Sequence, residues 1–356
     1  MNNSNMLLAA PELWVLTMAC VILIVDLFLR EERRGIIQLL ALGTLVFAAI
    51  ITLRADYMAE GLRSVTAFNG SFIRDPMGDV LKLFSFIVLA LVYIYAKHHL
   101  RQFRMFRADF YTLSMFALLG VMLLISANSL VMVYLGLELI SLSSYALVAF
   151  DRDSPRGSEA AMKYFVLGSM ASGMLLYGMS MIYGATGTLD LQLIADSIGS
   201  NGGDNTLLIF GLVFLVVGLA FKLGVVPFHM WIPDVYEGAP VATTLFISSV
   251  PKMAAFAMAI RLLQTGLGSL QDDWSQMLAV LAVLSIVLGN LAAIAQTNIK
   301  RMLAYSTISH MGFVLLGLLP GTPEGFGAGM FYVIVYSLMS AAAFGMVIML
   351  SARGVE

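Results

Sequence analysis

Ionisable side chains occur in this sequence inside stretches that are otherwise almost entirely apolar. Lys222 lies within one such run, 206–228, and Lys252 lies at the centre of another, 241–260. A cation at the middle of a bilayer costs roughly 2.5–3.5 kcal/mol on insertion scales, so such residues usually serve an ion path. Each lysine lies close to a residue that breaks helices, Pro227 or Pro251. We therefore expect a charge-moving channel inside a helix bundle, beside helix breaks that other protein groups or a wet cavity satisfy.

Glu138 is a further candidate, because it lies nine residues from one end of the apolar segment 129–150 and twelve from the other. At about 1.5 Å per residue it is too deep to reach either membrane surface. A buried carboxylate must find a partner or take up a proton, and we expect Lys163 in the next apolar segment to be that partner. The alternative is that these charges form permanent pairs that only lock helices together.

Two histidines complete the set of candidates. His310 lies in the middle of the apolar segment 301–319, and His229 follows Pro227 by two residues. The ordinary pKa of histidine, about 6.5, suits a proton relay, but a hydrogen-bonded core histidine is an equal alternative for His310. His229 marks either a proton mouth or a residue that only ties down the loop. The sequence shows no metal-ligand spacing, no nucleophile–base pair and no phosphate-binding loop.

These residues need an all-α, polytopic membrane protein to position them. The 356 residues are 60% hydrophobic and only 12% charged, whereas soluble proteins carry about 25% charged residues. Apolar runs of about 20 residues predict about eleven transmembrane helices, at 13–29, 35–53, 77–96, 109–127, 129–150, 158–185, 206–228, 241–263, 274–296, 301–319 and 326–352. The polar segment between the sixth and seventh helices is predicted to carry a short surface helix near 189–198. The single cysteine excludes a disulfide framework.

Basic residues indicate the orientation. Four lie in the even-numbered loops, and twelve lie in the odd-numbered loops and the C-terminal segment: Arg30, Arg33, Arg34, Lys97, Arg101, Arg104, Arg107, Arg152, Arg156, Lys300, Arg301 and Arg353. The positive-inside rule therefore places the N-terminus outside. Lys82 belongs to no loop but is near a predicted helix end, so the favoured interpretation is that its ammonium group reaches the membrane surface.

Four segments carry a recognisable pattern: 138–165, 221–240, 251–252 and 298–310. Together they resemble the antiporter-like membrane subunits of respiratory complex I, the bacterial NADH:quinone oxidoreductase. The most discriminating stretch is 233–240, Pro-Asp-Val-Tyr-Glu-Gly-Ala-Pro, because Mrp-type cation/proton antiporters and the other antiporter-like subunits usually read differently there. The resemblance covers nearly the whole chain.

The resemblance implies fourteen helices, with two five-helix repeats of inverted topology that each contain a broken helix. Residues 1–108 would then form an N-terminal three-helix layer, 109–263 the first repeat and 274–356 an incomplete second repeat. The second broken helix, with its own lysine, would lie beyond Glu356. We therefore expect either a fragment or a chain whose remaining sequence was not assigned.

The resemblance also implies proton-transfer roles for five residues: Glu138, Lys163, Lys222, Lys252 and His310. His229, from its position alone, stays a candidate for the proton mouth. It implies a translocase subunit in the bacterial inner membrane, with the N-terminus periplasmic and with proton movement coupled to quinone reduction. The chain itself would bind no cofactor; NADH, FMN, iron–sulfur clusters and quinone would belong to partner subunits. Expected partners are a neighbouring antiporter-like subunit, small membrane subunits and lipids, with no nucleic acid. The alternatives are an Mrp-type or stand-alone cation/proton antiporter and a scaffold whose charges are structural.

Overall fold

The computed structural model describes residues 3–29, 34–54, 64–103, 105–201 and 206–351. Its helices in chain order are α1 Asn3–Leu8, α2 Ala10–Asp26, α3 Gly35–Leu53, α4 Pro76–Gln102, α5 Ala108–Ile125, α6 Leu130–Val148, α7 Pro155–Thr186, α8 Leu191–Asn201, α9 Thr206–Leu223, α10 Trp231–Gly238, α11 Val241–Ala259, α12 Gln271–Ile294, α13 Ile299–Leu318 and α14 Pro323–Leu350. A π-helical turn, Ile260–Gly266, and a 3₁₀ turn, Gly268–Leu270, connect α11 to α12.

The all-helical membrane architecture predicted from the sequence is confirmed. Within the described ranges, nine helical segments are long and apolar enough to cross a membrane: Gly35–Leu53, Pro76–Gln102, Ala108–Ile125, Leu130–Val148, Pro155–Thr186, Thr206–Leu223, Val241–Gly266, Gly268–Ile294 and Pro323–Leu350. The first and tenth predicted spans also form helices, α2 and α13, but neither is among the nine. The number eleven therefore stays a prediction.

The starts of the membrane helices follow from short polar signals in the sequence. Asp75, Ser154 and Thr322 each accept a hydrogen bond from a backbone N–H of the first turn, and each is followed by proline at the first helical position. The capping side chain satisfies a backbone N–H that has no partner within the helix. The proline ring fixes its own φ near the helical value at the first position of the helix. Ser129 and Asn298 also cap α6 and α13 through their side chains, but no proline follows them.

Helix α11 is the centre of the bundle. It packs against α4, α5, α6, α9 and α14, and nearly all of its residues are buried. Pro251 lies inside α11 without ending it, so the expectation of a helix break beside Lys252 is wrong. Proline removes one hydrogen bond of the helix, and the helix continues because neighbouring helices enclose it on every side.

A small two-stranded sheet covers one end of the bundle. Strand β1, Val65–Ala67, pairs antiparallel with β2, Phe72–Arg74. The predicted short helix of the polar segment is present as α8, which packs against the π-helical turn after α11. Both elements lie near the start of α6, because Phe72 in β2 bridges to Ala127, and Ser129 bridges to Asp190 just before α8.

Candidate functional site

The break predicted beside Lys222 is present. Helix α9 ends at Leu223, and α10 begins only at Trp231. Gly224 has a φ of +80°, a left-handed conformation that residues with a Cβ adopt only at a cost. The Val226–Pro227 peptide bond is cis. Glycine and proline therefore act together here, and they expose backbone groups in the interior of the bundle.

Other helices supply partners for these exposed groups. The Lys252 Nζ atom on α11 donates a hydrogen bond of 2.7 Å to the Leu223 carbonyl oxygen. The Val226 N–H donates to Ser285 Oγ on α12 at 2.9 Å, and Trp231 Nε1 donates to a carbonyl in the last turn of α9 at 3.0 Å. Backbone groups at membrane depth need such partners. The partial negative charge at the end of α9 also favours a cation beside it.

Lys222 and Lys252 line a common cavity of about 30 Å³, which has room for one or two water molecules. Lys222 Nζ donates to Ser141 Oγ on α6 at 2.8 Å. Lys252 Nζ lies 5.4 Å from the centre of the Trp231 ring, and its side chain is 1% exposed. In the described part of the chain, neither lysine has a carboxylate within 4 Å. Within the described ranges, therefore, no ion pair holds either lysine in its charged form.

Glu138 lies one turn before Ser141 on α6, and its carboxylate acts electrostatically on Lys222. Its Oε1 atom is buried and accepts no hydrogen bond from any described residue. The predicted pair between Glu138 and Lys163 is wrong. Lys163 Nζ instead contacts Glu159 Oε1 at 2.8 Å and Asp234 Oδ2 at 2.9 Å, and its side chain is 43% exposed. Carboxylates near a solvated surface are cheaper for the long side chain to reach than one deep between helices.

The partners of Lys163 belong to a network of charges that joins three helices. Arg301 Nη1 on α13 donates to Asp234 Oδ1 at 3.0 Å and to Glu237 Oε2 at 2.8 Å, both on α10. Partial burial alone would raise the pKa of the Asp234 carboxyl. The hydrogen bonds and charges of Lys163 and Arg301 outweigh that effect and hold this pKa below its ordinary value of 3.8. The network therefore fixes α10, the second half of the broken helix, to α7 and α13.

His310 is hydrogen-bonded within the bundle rather than isolated. Its Nδ1 atom lies 2.8 Å from the Tyr332 hydroxyl, and its ring centre lies 5.3 Å from that of Tyr336. The Tyr336 hydroxyl donates to Thr307 Oγ1 at 2.9 Å. Both tyrosines come from α14, so this helix places two side chains with hydroxyl groups beside the histidine. A hydroxyl group can both donate and accept a hydrogen bond.

A further pair of hydroxyl groups joins α11 to α14, one turn from Lys252 and one turn from Tyr336. Ser340 Oγ on α14 is 2.9 Å from Ser248 Oγ, and Ser248 lies one turn before Lys252 on α11. Sequence reasoning missed this series. A signal was available, since Tyr332, Tyr336 and Ser340 recur every four residues in an apolar span and so share one face of a helix.

His229 and Lys82 lie outside the cavity. His229 is half-buried in the linker between α9 and α10 and does not line the space between the two lysines. The expectation that Lys82 reaches the membrane surface is wrong, because its Nζ lies 2.6 Å from Glu12 Oε1 and the two side chains are 1% and 4% exposed. Two more ion pairs adjoin the start of α4: Arg74 with Asp79, which are both buried, and Arg261 with Asp75, which is partly buried.

Comparisons with known proteins identify the family to which the chain is similar. A family model described as NADH:quinone oxidoreductase/Mrp antiporter, transmembrane, matches residues 127–356. NADH-quinone oxidoreductase subunit N of Thioalkalivibrio sulfidiphilus is 54% identical over 347 residues, which cover 97% of this chain and 72% of the relative. The subunit of the same name from Thiobacillus denitrificans is 53% identical over 348 residues, which cover 98% of this chain and 71% of the relative.

Solved structures show the same similarity. A chain of respiratory complex I from Thermus thermophilus with bound aureothin matches with a TM-score of 0.79 and 32% identity, over 95% of this chain and 70% of that one. A chain of the Mrp complex from Dietzia sp. matches with a TM-score of 0.82 and 21% identity, over 97% of this chain and 64% of that one. The second match concerns the fold alone.

Proposed function

This chain belongs to the NADH:quinone oxidoreductase/Mrp antiporter family, and we propose that it is a proton-translocating membrane subunit of a bacterial respiratory complex I, of the subunit N type. The segment 233–240 predicts that type, and the relatives at 54% and 53% identity support it. As part of this translocase, the subunit moves protons and leaves the redox chemistry to its partners.

The observation that carries the proposal is the pair of lysines at the helix break. Lys222 and Lys252 face one small cavity, and no described carboxylate neutralises either of them. Permanent ion pairs, the structural alternative, would require such carboxylates within about 4 Å. Lysines without an ion pair can release and accept protons, and a water molecule in the cavity can pass a proton from one to the other.

A proton route follows from the neighbours of this pair. We propose that Glu138 and Ser141 deliver protons to Lys222, that the cavity connects Lys222 to Lys252, and that hydroxyl groups of α11 and α14 lead from Lys252 to His310. The Lys252–Leu223 hydrogen bond supplies the coupling. A shift of the linker after α9 would move the Leu223 carbonyl and change how well the charged lysine is stabilised, so conformation and proton position would change together.

We assign Lys163 to the surface end of this route. It lies in the charged network of α7, α10 and α13 and not beside Glu138, so it would collect protons at the membrane surface or hold α10 in place. We assign His229, in the linker between α9 and α10, to the mouth of the proton route. Neither role requires a direct contact with the cavity.

The other components of the machine follow from membership of complex I. NADH, FMN, iron–sulfur clusters and quinone belong in this proposal to partner subunits, and the expected neighbours are another antiporter-like subunit and small membrane subunits. We place the chain in the bacterial inner membrane, with its N-terminus periplasmic and its arginine-rich loops cytoplasmic. An Mrp-type antiporter is the alternative, and co-purification of the native chain with NADH dehydrogenase activity separates the two.

The test replaces each cavity lysine in the native complex. Lys222→Ala and Lys252→Met should leave the complex assembled while strongly reducing proton pumping and the coupled quinone reduction, because each removes a titratable group. Lys97→Gln is the matched control, since it removes a lysine of α4 that does not line the cavity and should pump normally. Unchanged pumping in both cavity variants would contradict the proposal.

A further inference from the structure

A groove unrelated to the lysine cavity opens between α2, α5 and α6. Its volume is about 440 Å³. The mouth carries three charged side chains: Arg107, Asp109 and Arg152. The wall is apolar and includes Leu23, Leu113, Phe116, Ala146, Ala149 and Phe150.

The mouth lies at the arginine-rich surface of the membrane, because Arg107 directly precedes α5 and Arg152 lies in the turn after α6. From Asp109 the wall extends along α5 to Phe116, seven residues further, or roughly 10 Å at 1.5 Å per residue. One leaflet of the hydrocarbon core is about 15 Å thick. Leu23 is 49% exposed and Ala146 is also exposed, so the groove opens beside these two residues onto the outer surface of the bundle.

The two arginines at the mouth form no ion pair within the described structure. Arg107 and Arg152 are exposed, and neither has a carboxylate within 4 Å among the described residues. With Asp109 the mouth carries a net charge of +1, since two guanidinium groups face one carboxylate. The neighbouring Arg34 does not add to this charge, because it pairs with Asp26.

We propose that this groove binds one anionic glycerophospholipid. Its phosphate lies between Arg107 and Arg152, a hydroxyl group of its headgroup donates to Asp109, and one acyl chain lies along the apolar wall to Phe116. Basic pockets between transmembrane helices on the cytoplasmic side recognise such headgroups. A phospholipid with one net negative charge, such as phosphatidylglycerol, balances the mouth, whereas zwitterionic phosphatidylethanolamine leaves its positive charge uncompensated.

The test measures lipid retention by the native complex. Detergent-purified complex is exchanged into nanodiscs that contain phosphatidylglycerol or phosphatidylethanolamine, and the lipid held by this subunit is quantified by native mass spectrometry. Arg107→Gln with Arg152→Gln should weaken phosphatidylglycerol binding about thirtyfold, and either change alone about fivefold. Lys97→Gln with Arg101→Gln removes equal charge from the same surface outside the groove and should retain the lipid.

A third variant tests the acyl-chain position independently of charge. Ala146 is exposed on the groove wall, so Ala146→Phe fills the groove without disturbing the core and should also release the lipid. The proposal is overturned if the arginine and control pairs retain phosphatidylglycerol equally, if phosphatidylethanolamine binds as well, or if Ala146→Phe has no effect. It is also overturned if another subunit covers the groove in the native complex and no lipid is held there.

Discussion

Gly224→Ala should destabilise the helix break and weaken proton transfer through it. At a φ of +80° an alanine costs about 1–2 kcal/mol relative to glycine. Its Cβ would overlap Ile232 Cδ1 and would lie 3.6 Å from Lys252 Nζ. Ile232 is fully buried, so it can yield only by leaving its preferred rotamer, at about 0.5–1.5 kcal/mol. We expect a total loss of about 1.5–3.5 kcal/mol in the free energy of unfolding.

Two other glycines separate these contributions. Gly187 has a φ of +72° and open space where its Cβ would lie, whereas Gly173 has open space and no positive φ. Gly187→Ala should therefore lose only about 1–2 kcal/mol, and Gly173→Ala should lose nothing or gain slightly. Unfolding free energies from denaturant titration of the purified protein give the order. If Gly224→Ala is no less stable than Gly187→Ala, the tight packing assigned to the break is incorrect.

Three further predictions concern other parts of the molecule. Glu12→Leu or Lys82→Met alone should cost about 3–5 kcal/mol of unfolding free energy by leaving one charge buried, and the double variant should cost much less; additive losses would contradict a buried pair. Asp153→Cys should react with an impermeant maleimide only from the cytoplasmic side and Asp196→Cys only from the periplasmic side, and reversed labelling would invert the proposed orientation. The lowered pKa of Asp234 stabilises the fold above about pH 4, and this stabilisation is lost as the pH falls through that pKa. Acid should therefore lower the melting temperature of the wild type more than that of Asp234→Asn, and equal decreases would argue against it.

The helical framework and the first break could be predicted from the sequence because their causes are local. Apolar runs of membrane length specify the helices, and Asp75–Pro76 and similar pairs specify where some of them begin. Gly224 and Pro227 specify the break. The break predicted at Pro251 was wrong because the outcome there depends on contacts between helices and not on local sequence. Proline weakens a helix locally, but α11 is enclosed by neighbours whose packing the sequence does not reveal.

The partners of the charged residues were harder to predict, because they depend on contacts between distant segments. Lys252 bonds to a backbone carbonyl, an acceptor that every residue carries and no motif marks. Lys163 lies 71 residues from Asp234, and nothing in its own helix favours that carboxylate over Glu138. The residue types at the site could thus be identified, but not which of them meet. The division into two inverted repeats stays a prediction.

The most direct test of proton transfer through the break is Lys222→Arg in the native complex, reconstituted into closed proteoliposomes. The number of protons pumped per NADH oxidised is measured together with quinone reduction. Arginine keeps the positive charge beside Ser141 but does not release its proton at any accessible pH. We therefore expect assembled complex with strongly reduced pumping. Pumping at the wild-type ratio would show that positive charge alone suffices and that Lys222 does not carry the proton.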